Sequence, residues 1–220
     1  MKITAKWLTV VLVAVILAAG LGTFYLGSQQ ETKNTFRIKV ACVGDSITNG
    51  TEYPDDLWMM LGANYTMGNF GVGGATASLE SDKPYMNQIE FQEAKQFKPN
   101  IAIIMFGTND AYPSREKSLN NFTNDYKKLV ASFQALSTKP KIFLVIPPPV
   151  FNADLGPNNT ILLDEVIPRI TQAAAELGLP IVDVYTPLMN HSDYFWDGVH
   201  PNSIGAKIIA TQIYNSIIKP

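Results

Sequence analysis

From residue 37 onward, short apolar runs alternate with stretches whose apolar positions recur every three or four residues. Runs 38–43, 65–70, 101–106, 142–146 and 181–184 are brief and near-continuously apolar, the pattern of strands buried on both faces. Between them, 54–61, 88–97, 119–136 and 161–177 read as helices, and 203–218 closes the chain as another. Pro54 suits a first helical turn. Pro99 stops the second helix. Phe122, Tyr126, Leu129, Val130 and Phe133 share one face of the third, and Pro168 falls inside the fourth as a kink or break. Strands that alternate with helices predict an α/β fold with a five-stranded parallel sheet covered on both sides. In such sheets the site lies at the carboxyl ends of the strands. The longest irregular stretch, 147–160, follows the fourth strand on that same edge.

The first residues carry a different pattern. Residues 7–27 contain no charge, with Lys2 and Lys6 before them and Gln29, Gln30, Glu31 and Lys33 after. A bilayer-crossing helix needs about 20 apolar residues, and basic residues ahead of it keep that end in the cytoplasm. The expectation is a cytoplasmic N-terminus over 1–6, a transmembrane signal anchor over 7–27, a polar linker over 28–36 and an exported domain over 37–220. Ala18-Ala19-Gly20 offers a small-residue cleavage site, the mark of a secreted protein. The apolar run continues past it through Phe24, Tyr25 and Leu26, which favours an uncleaved anchor.

Composition narrows the chemistry. The chain has 220 residues, 46% apolar and 16% charged, with a net charge of −2. That excludes a disordered or collagen-like chain, and it shows none of the basic excess of a nucleic-acid binder. Cys42 is the single cysteine and His191 and His200 the two histidines, so there is no internal disulfide and little material for a zinc site. Nothing calls for a metal or an organic cofactor. Without Lys2, Lys6, Lys33 and Glu31 the exported part is mildly acidic. Asn49, Asn64, Asn121, Asn158 and Asn190 head Asn-x-Ser/Thr sequons that permit glycosylation in a competent host.

Four polar blocks fall at strand ends: Gly44-Asp45-Ser46-Ile47-Thr48, Asn69-Phe70-Gly71-Val72-Gly73-Gly74-Ala75-Thr76, Gly107-Thr108-Asn109-Asp110 and Asp197-Gly198-Val199-His200-Pro201. A serine hydroxyl needs a base to become a nucleophile. Ser46 sits at an exposed strand-to-helix turn, and His200 is the candidate base. Asp197, three residues before it, is placed to fix the imidazole tautomer from within one loop. A tetrahedral oxyanion needs donors already aimed at it. The N–H groups of Ser46 and Gly74 and the side-chain amide of Asn109 are the candidates, and glycine at 74 permits a positive φ. The Gly71 to Gly74 run has neither the Lys-Ser/Thr of a phosphate loop nor a G-x-G-x-x-G pattern.

These blocks resemble those of the SGNH hydrolases, the GDSL esterase/lipase superfamily. Gly-Asp-Ser-Ile-Thr is similar to the nucleophile block, with Ser46 as its serine. Gly74 falls on the oxyanion glycine of the second block, Asn109 on the asparagine of the third, and Asp197-x-x-His200 on the last. The resemblance covers about 37–220. It implies a flavodoxin-like three-layer αβα sandwich and ester hydrolysis through an acyl-serine. Tyr53-Pro54, the run 69–76 and the run Asp197 to Asn202 are most similar to the sialate and carbohydrate O-acetylesterase branch, which implies a small-molecule or glycan ester as substrate.

Other readings stay open on the same residues. A lysophospholipase or thioesterase would use the same triad and would need an apolar trench, which 147–155 with Val150 and Phe151 could line. Acyl transfer to a sugar would replace water by an alcohol in the second step. A binding module without chemistry is disfavoured by the intact set Ser46, Asn109, Asp197 and His200. Asp45 and Asp110 are expected to hold turns by hydrogen bonding, Cys42 to be a buried small hydrophobe, and His191 to lie at the surface. Trp196, Tyr53, Tyr112 and Phe151 are candidates to wall a sugar site, with packing as the alternative for each.

Overall fold

A parallel strand pair needs a crossover connection, and the five strands here obtain theirs from helices. The computed structural model describes residues 37–151 and 156–219. Strands β1 (Ile38–Gly44), β2 (Tyr65–Gly71), β3 (Ile101–Met105), β4 (Lys141–Ile146) and β5 (Ile181–Asp183) form one sheet in the order β2-β1-β3-β4-β5. Every neighbouring pair is parallel. Helices α1 (Ser46–Gly50), α2 (Tyr53–Leu61), α3 (Ile89–Gln96), α4 (Phe122–Gln134), α5 (Ile167–Leu177) and α6 (Ser203–Ile218) complete the unit. The expected α/β fold with a five-stranded parallel sheet is observed.

Successive residues of a strand point to opposite faces, and β1 supplies both cores. Ala41 and Val43 enter one cluster with Phe122, Tyr126 and Leu129 of α4 and Ile170 of α5. Val40 and Cys42 enter the other with Leu57 of α2 and Ile209 and Ile213 of α6. All five apolar positions expected on one face of α4 are buried, and Asp125 is buried with them. Asp125 is satisfied there: its carboxylate accepts from the Leu79 N–H at 2.9 Å and from Lys128 at 3.0 Å.

Two helices differ from the sequence pattern. The helix expected over 119–136 begins only at Phe122, after a 3₁₀ run over Pro113–Asn121. That run lacks an apolar stripe, and the Ser118 hydroxyl donates to the Arg115 carbonyl, a local bond that competes with the α-helical ladder. In the other, a short turn (Asn159–Ile161) leads through a π-helical turn (Leu162–Val166) into α5. Pro168 thereby falls in the first turn of α5, where its missing N–H costs little, and the wider turn absorbs the break in the ladder.

Among the described residues no helix is long and apolar enough to cross a membrane. The signal anchor expected over 7–27 and the linker over 28–36 lie outside the described residues, as do 152–155 of the stretch after β4. The connection from β1 leads to β2 on one side, and the one from β2 crosses back past β1 to β3 on the other, so the sheet has its topological switch point between β1 and β3, where ligands bind in such folds.

Candidate active site

The site begins where β1 runs out. Asp45 leaves the strand and caps α1, its carboxylate accepting from the Ile47 N–H at 2.9 Å. Ser46 is therefore the first residue of a helix, and its N–H is one of the first-turn donors that have no partner within the helix. Asp45 itself is buried. Burial pushes its carboxyl up to about 7, and the nearby Asp110 adds to this, while the Ile47 N–H and His200 pull the other way.

The end of β2 is tied to the same helix. The Asn69 amide donates to the Thr48 carbonyl at 2.8 Å, and its oxygen accepts from the Gly71 N–H at 3.1 Å. The chain then turns: Ala75 N–H donates to the Val72 carbonyl at 3.1 Å, and Gly74 has φ +76°. A positive φ at the third residue of such a turn is what selects glycine.

From β3, Asn109 reaches that turn. It is 8% exposed, and its side-chain amide donates to the Ala75 carbonyl at 3.1 Å. An amide nitrogen has two hydrogens, so one remains for a ligand. Asp110 is fully buried and accepts from the N–H groups of Ala77 at 3.1 Å and Ser78 at 2.9 Å. Burial raises its pKa, against the pull of those N–H groups and of Arg115. Asp110 thus buttresses the loop after β2 against the loop after β3, and Asp45 holds its own turn, as the sequence pattern suggested for both.

The last loop delivers the acid and the base together. Asp197 Oδ1 accepts from the backbone N–H groups of Val199 at 2.9 Å and His200 at 2.8 Å. Its Oδ2 lies 2.7 Å from His200 Nδ1, and His200 Nε2 lies 2.9 Å from Ser46 Oγ. The carboxylate fixes the tautomer: Nδ1–H donates to Asp197, and Nε2 is left to accept the serine proton. Partial burial works to raise the Asp197 pKa, but the three bonds from Val199 and His200 outweigh it and hold the carboxyl at about 2. Asp197 is ionised wherever His200 is useful as a base. The loop is pinned from outside by the Phe151 N–H, which donates to the Gly198 carbonyl at 2.7 Å, and closed from within by the Trp196 N–H, which donates to the His200 carbonyl at 2.9 Å. Ser46, Asp197 and His200 are thus brought into one hydrogen-bonded line, and Asn109 is bonded to the turn that carries Gly74. That arrangement can activate a hydroxyl and receive a developing oxyanion.

Residues 42–208 match the GDSL-like lipase/acylhydrolase family. The chain belongs to that family. It is 33% identical over 206 residues to an acetylxylan esterase of Xylanibacter ruminicola, covering 82% of this chain and 43% of that protein. It is 27% identical over 143 residues to the GDSL esterase/lipase CPRD49 of Arabidopsis thaliana, covering 56% of each. The chain spans about half the length of these curated relatives. Its fold is similar to that of Est24, a carbohydrate acetylesterase from Sinorhizobium meliloti, with a TM-score of 0.65 at 18% identity, covering 82% of this chain and 98% of that one. It is likewise similar to the acetyl xylan esterase AlAXEase, with a TM-score of 0.67 at 19% identity, covering 82% and 100%.

Within this GDSL-like frame the remaining candidates separate. Tyr53 is fully buried and bonded to the Thr48 hydroxyl at 2.9 Å, so it belongs to the core and walls nothing. Phe151 packs edge-on against Phe195 at 5.0 Å and Val150 is buried. Of the apolar trench expected over 147–155, Val150 is spent on packing, Phe151 is half-buried, and 152–155 lie outside the described residues. Trp196 is 75% exposed beside Asp197. Tyr112 is half-buried, with the Arg115 guanidinium 5.1 Å from its ring centre. His191 stacks on Tyr194, half-exposed. Cys42 is buried in β1, and burial pushes its thiol up to about 12. Arg115 is a residue that sequence reasoning missed: it donates to the Asn109 carbonyl at 2.9 Å and pairs with Asp82 at 2.6 Å. No motif marks it, because a guanidinium that grips a backbone carbonyl requires nothing of the residues around it.

Proposed function

We propose that this chain is a serine ester hydrolase that removes O-acetyl groups from carbohydrate through an acyl-serine intermediate. The observation that carries the reading is the line Asp197–His200–Ser46, with contacts of 2.7 and 2.9 Å, beside the Gly74 turn that Asn109 holds. His200 Nε2 takes the proton as Ser46 Oγ attacks the ester carbonyl, and Asp197 stabilises the imidazolium. The N–H groups of Ser46 and Gly74 and the Asn109 amide receive the oxyanion. Collapse expels the sugar alkoxide, which takes its proton from His200. Water then attacks the acyl-serine with His200 as base and releases the acid.

Carbohydrate acetate as substrate is supported by the names of the Xylanibacter relative and of the two structural neighbours. Acetate release from acetylated xylan, with p-nitrophenyl esters from acetate to palmitate alongside, tests it. Activity that falls steeply beyond short acyl chains is expected. A preference for palmitate returns the lipolytic reading. We further propose that residues 7–27 anchor the enzyme with its catalytic unit outside the cytoplasm, a reading supported by the uncharged length of that run and the lysines before it.

A further inference from the structure

The turn that carries Gly74 has an anchor on its far side. Lys83 Nζ donates to the Gly73 carbonyl oxygen at 2.7 Å. That oxygen and the Gly74 N–H are the two ends of one peptide group. A trans peptide directs its C=O and its N–H in opposite directions, so a lysine on the carbonyl side leaves the N–H facing the other way. The two sides of the turn are distinct. A Cβ placed on Gly74 would meet Lys83 Cδ at 3.8 Å, and one placed on Gly73 would meet Ser46 Cβ at 4.0 Å. Among the described residues the Gly74 N–H has no backbone acceptor.

Backbone contacts put Lys83 in place. Its carbonyl accepts from the Thr76 N–H at 3.1 Å and from the Thr76 hydroxyl at 3.2 Å. Pro84 bridges to Thr76, so the loop that leaves at Thr76 returns to it. Asp110 holds the start of that loop through Ala77 and Ser78. The ammonium is therefore delivered to Gly73 by a closed loop, with only its own four-carbon stem free.

We propose that Lys83 is a positioning residue of the oxyanion hole. It aims the Gly73–Gly74 peptide and polarises it, which makes the Gly74 N–H a stronger donor. A charged donor on a carbonyl makes a stronger bond than a neutral one, and bonds in a chain polarise each other. The oxyanion carries full charge only near the transition state, so the gain falls there rather than on the bound ester. The inference rests on the esterase reading above.

The probe is p-nitrophenyl acetate, small and uncharged. Lys83→Met is expected to lower kcat about 10-fold, well short of the 10²- to 10³-fold cost of deleting a whole donor, because the Gly74 N–H remains. KM should stay within about twofold, since the contact acts on the transition state. Lys83→Arg should recover most of the loss. Lys83→Gln, a neutral donor, should fall between Met and Arg, and it replaces Met in the comparison if Lys83→Met fails to fold. Affinity for a boronic acid that forms a tetrahedral adduct on Ser46 should fall in parallel with kcat. Wild-type turnover of the ester tests the esterase reading by itself, and its absence overturns both. With that turnover present, an unchanged kcat in Lys83→Met and Lys83→Gln overturns the role of Lys83 alone. A raised KM with kcat intact does the same and makes Lys83 a substrate contact.

Discussion

The Asn109 side chain donates across 3.1 Å to the carbonyl of Ala75, and so the end of β3 fixes the turn that presents Gly74. Holding the turn and receiving the oxyanion are thus not rival roles for Asn109, because its amide has a hydrogen for each. Asn109→Ala should lower kcat by roughly 10²- to 10³-fold, about 2.7 to 4 kcal/mol, with KM little changed. It should also lower the melting temperature, since a buried carbonyl left unpaired costs about 1–3 kcal/mol. Asn109→Asp should be at least as damaging, as it sets a negative charge against both the Ala75 oxygen and the oxyanion. Kinetics and melting curves on both variants check this. A lowered melting temperature with kcat intact would remove Asn109 from the catalytic set.

Ser46 is half-buried, and its hydroxyl lies 2.9 Å from His200 Nε2. Ser46→Ala removes the nucleophile and little else, so ester hydrolysis should fall by about four to six orders of magnitude, with a residue left by the oxyanion hole. Circular dichroism should be unchanged. Activity near wild type in a folded Ser46→Ala protein would exclude the acyl-serine route.

The parts of this site that could be read from sequence are those that obey a spacing. Asp197 and His200 share a loop, so one interval announces them. Ser46, Gly74 and Asn109 each follow a strand, and apolar runs mark where strands end. Asp45 and Asp110 adjoin those positions and could be read as turn-holders. Lys83 and Arg115 act on backbone carbonyls of Gly73 and Asn109, which any sequence would supply, so nothing in the chain announces them. The same limit holds for the helices. The stripe of Phe122, Tyr126 and Phe133 locates α4, whereas its start follows a 3₁₀ run over Pro113–Asn121 that periodicity does not register.

Gly198 is where the acid–base loop touches its support. Its φ is +82°, and a Cβ there would stand 1.8 Å from the Phe151 carbonyl oxygen. That oxygen is backbone, so Phe151 and the loop must move apart, which displaces Asp197 and His200. Gly198→Ala should destabilise the protein by about 2–4 kcal/mol, combining backbone strain with a steric clash. It should also lower kcat about 10²-fold, the scale of a catalytic group misplaced by about 1 Å. Chemical denaturation and kinetics measure the two effects. Wild-type stability would mean that the loop relaxes freely.

The uncharged run 7–27 makes a claim that fractionation can test. The full chain should sediment with membranes and resist carbonate and high salt, as an apolar helix of that length should. A version beginning at Arg37 should be soluble and active. Release of the full chain by carbonate or salt alone would favour cleavage at Ala18-Ala19-Gly20.

Asp45 sets a dependence on pH that is separate from the chemistry at Ser46. Burial raises its carboxyl to about 7, against about 3.9 in an unfolded chain. Between those values the native state holds a proton that the unfolded state has lost. Stability therefore falls as pH rises from about 4 to about 7, and the favourable contribution is complete only below the lower value. Asp110, also raised by burial, adds to the same slope. Asp45→Asn keeps an oxygen to accept from the Ile47 N–H and cannot ionise, so it mimics the protonated acid at every pH. It should melt close to wild type at pH 4.5 and higher than wild type at pH 8, by roughly 5–10 °C if a few kcal/mol of ionisation penalty is relieved. Melting curves across that range decide it. A variant that loses stability equally at both pH values would show that the Asp45 carboxylate is needed in its charged form, and would leave the alkaline loss of stability to Asp110.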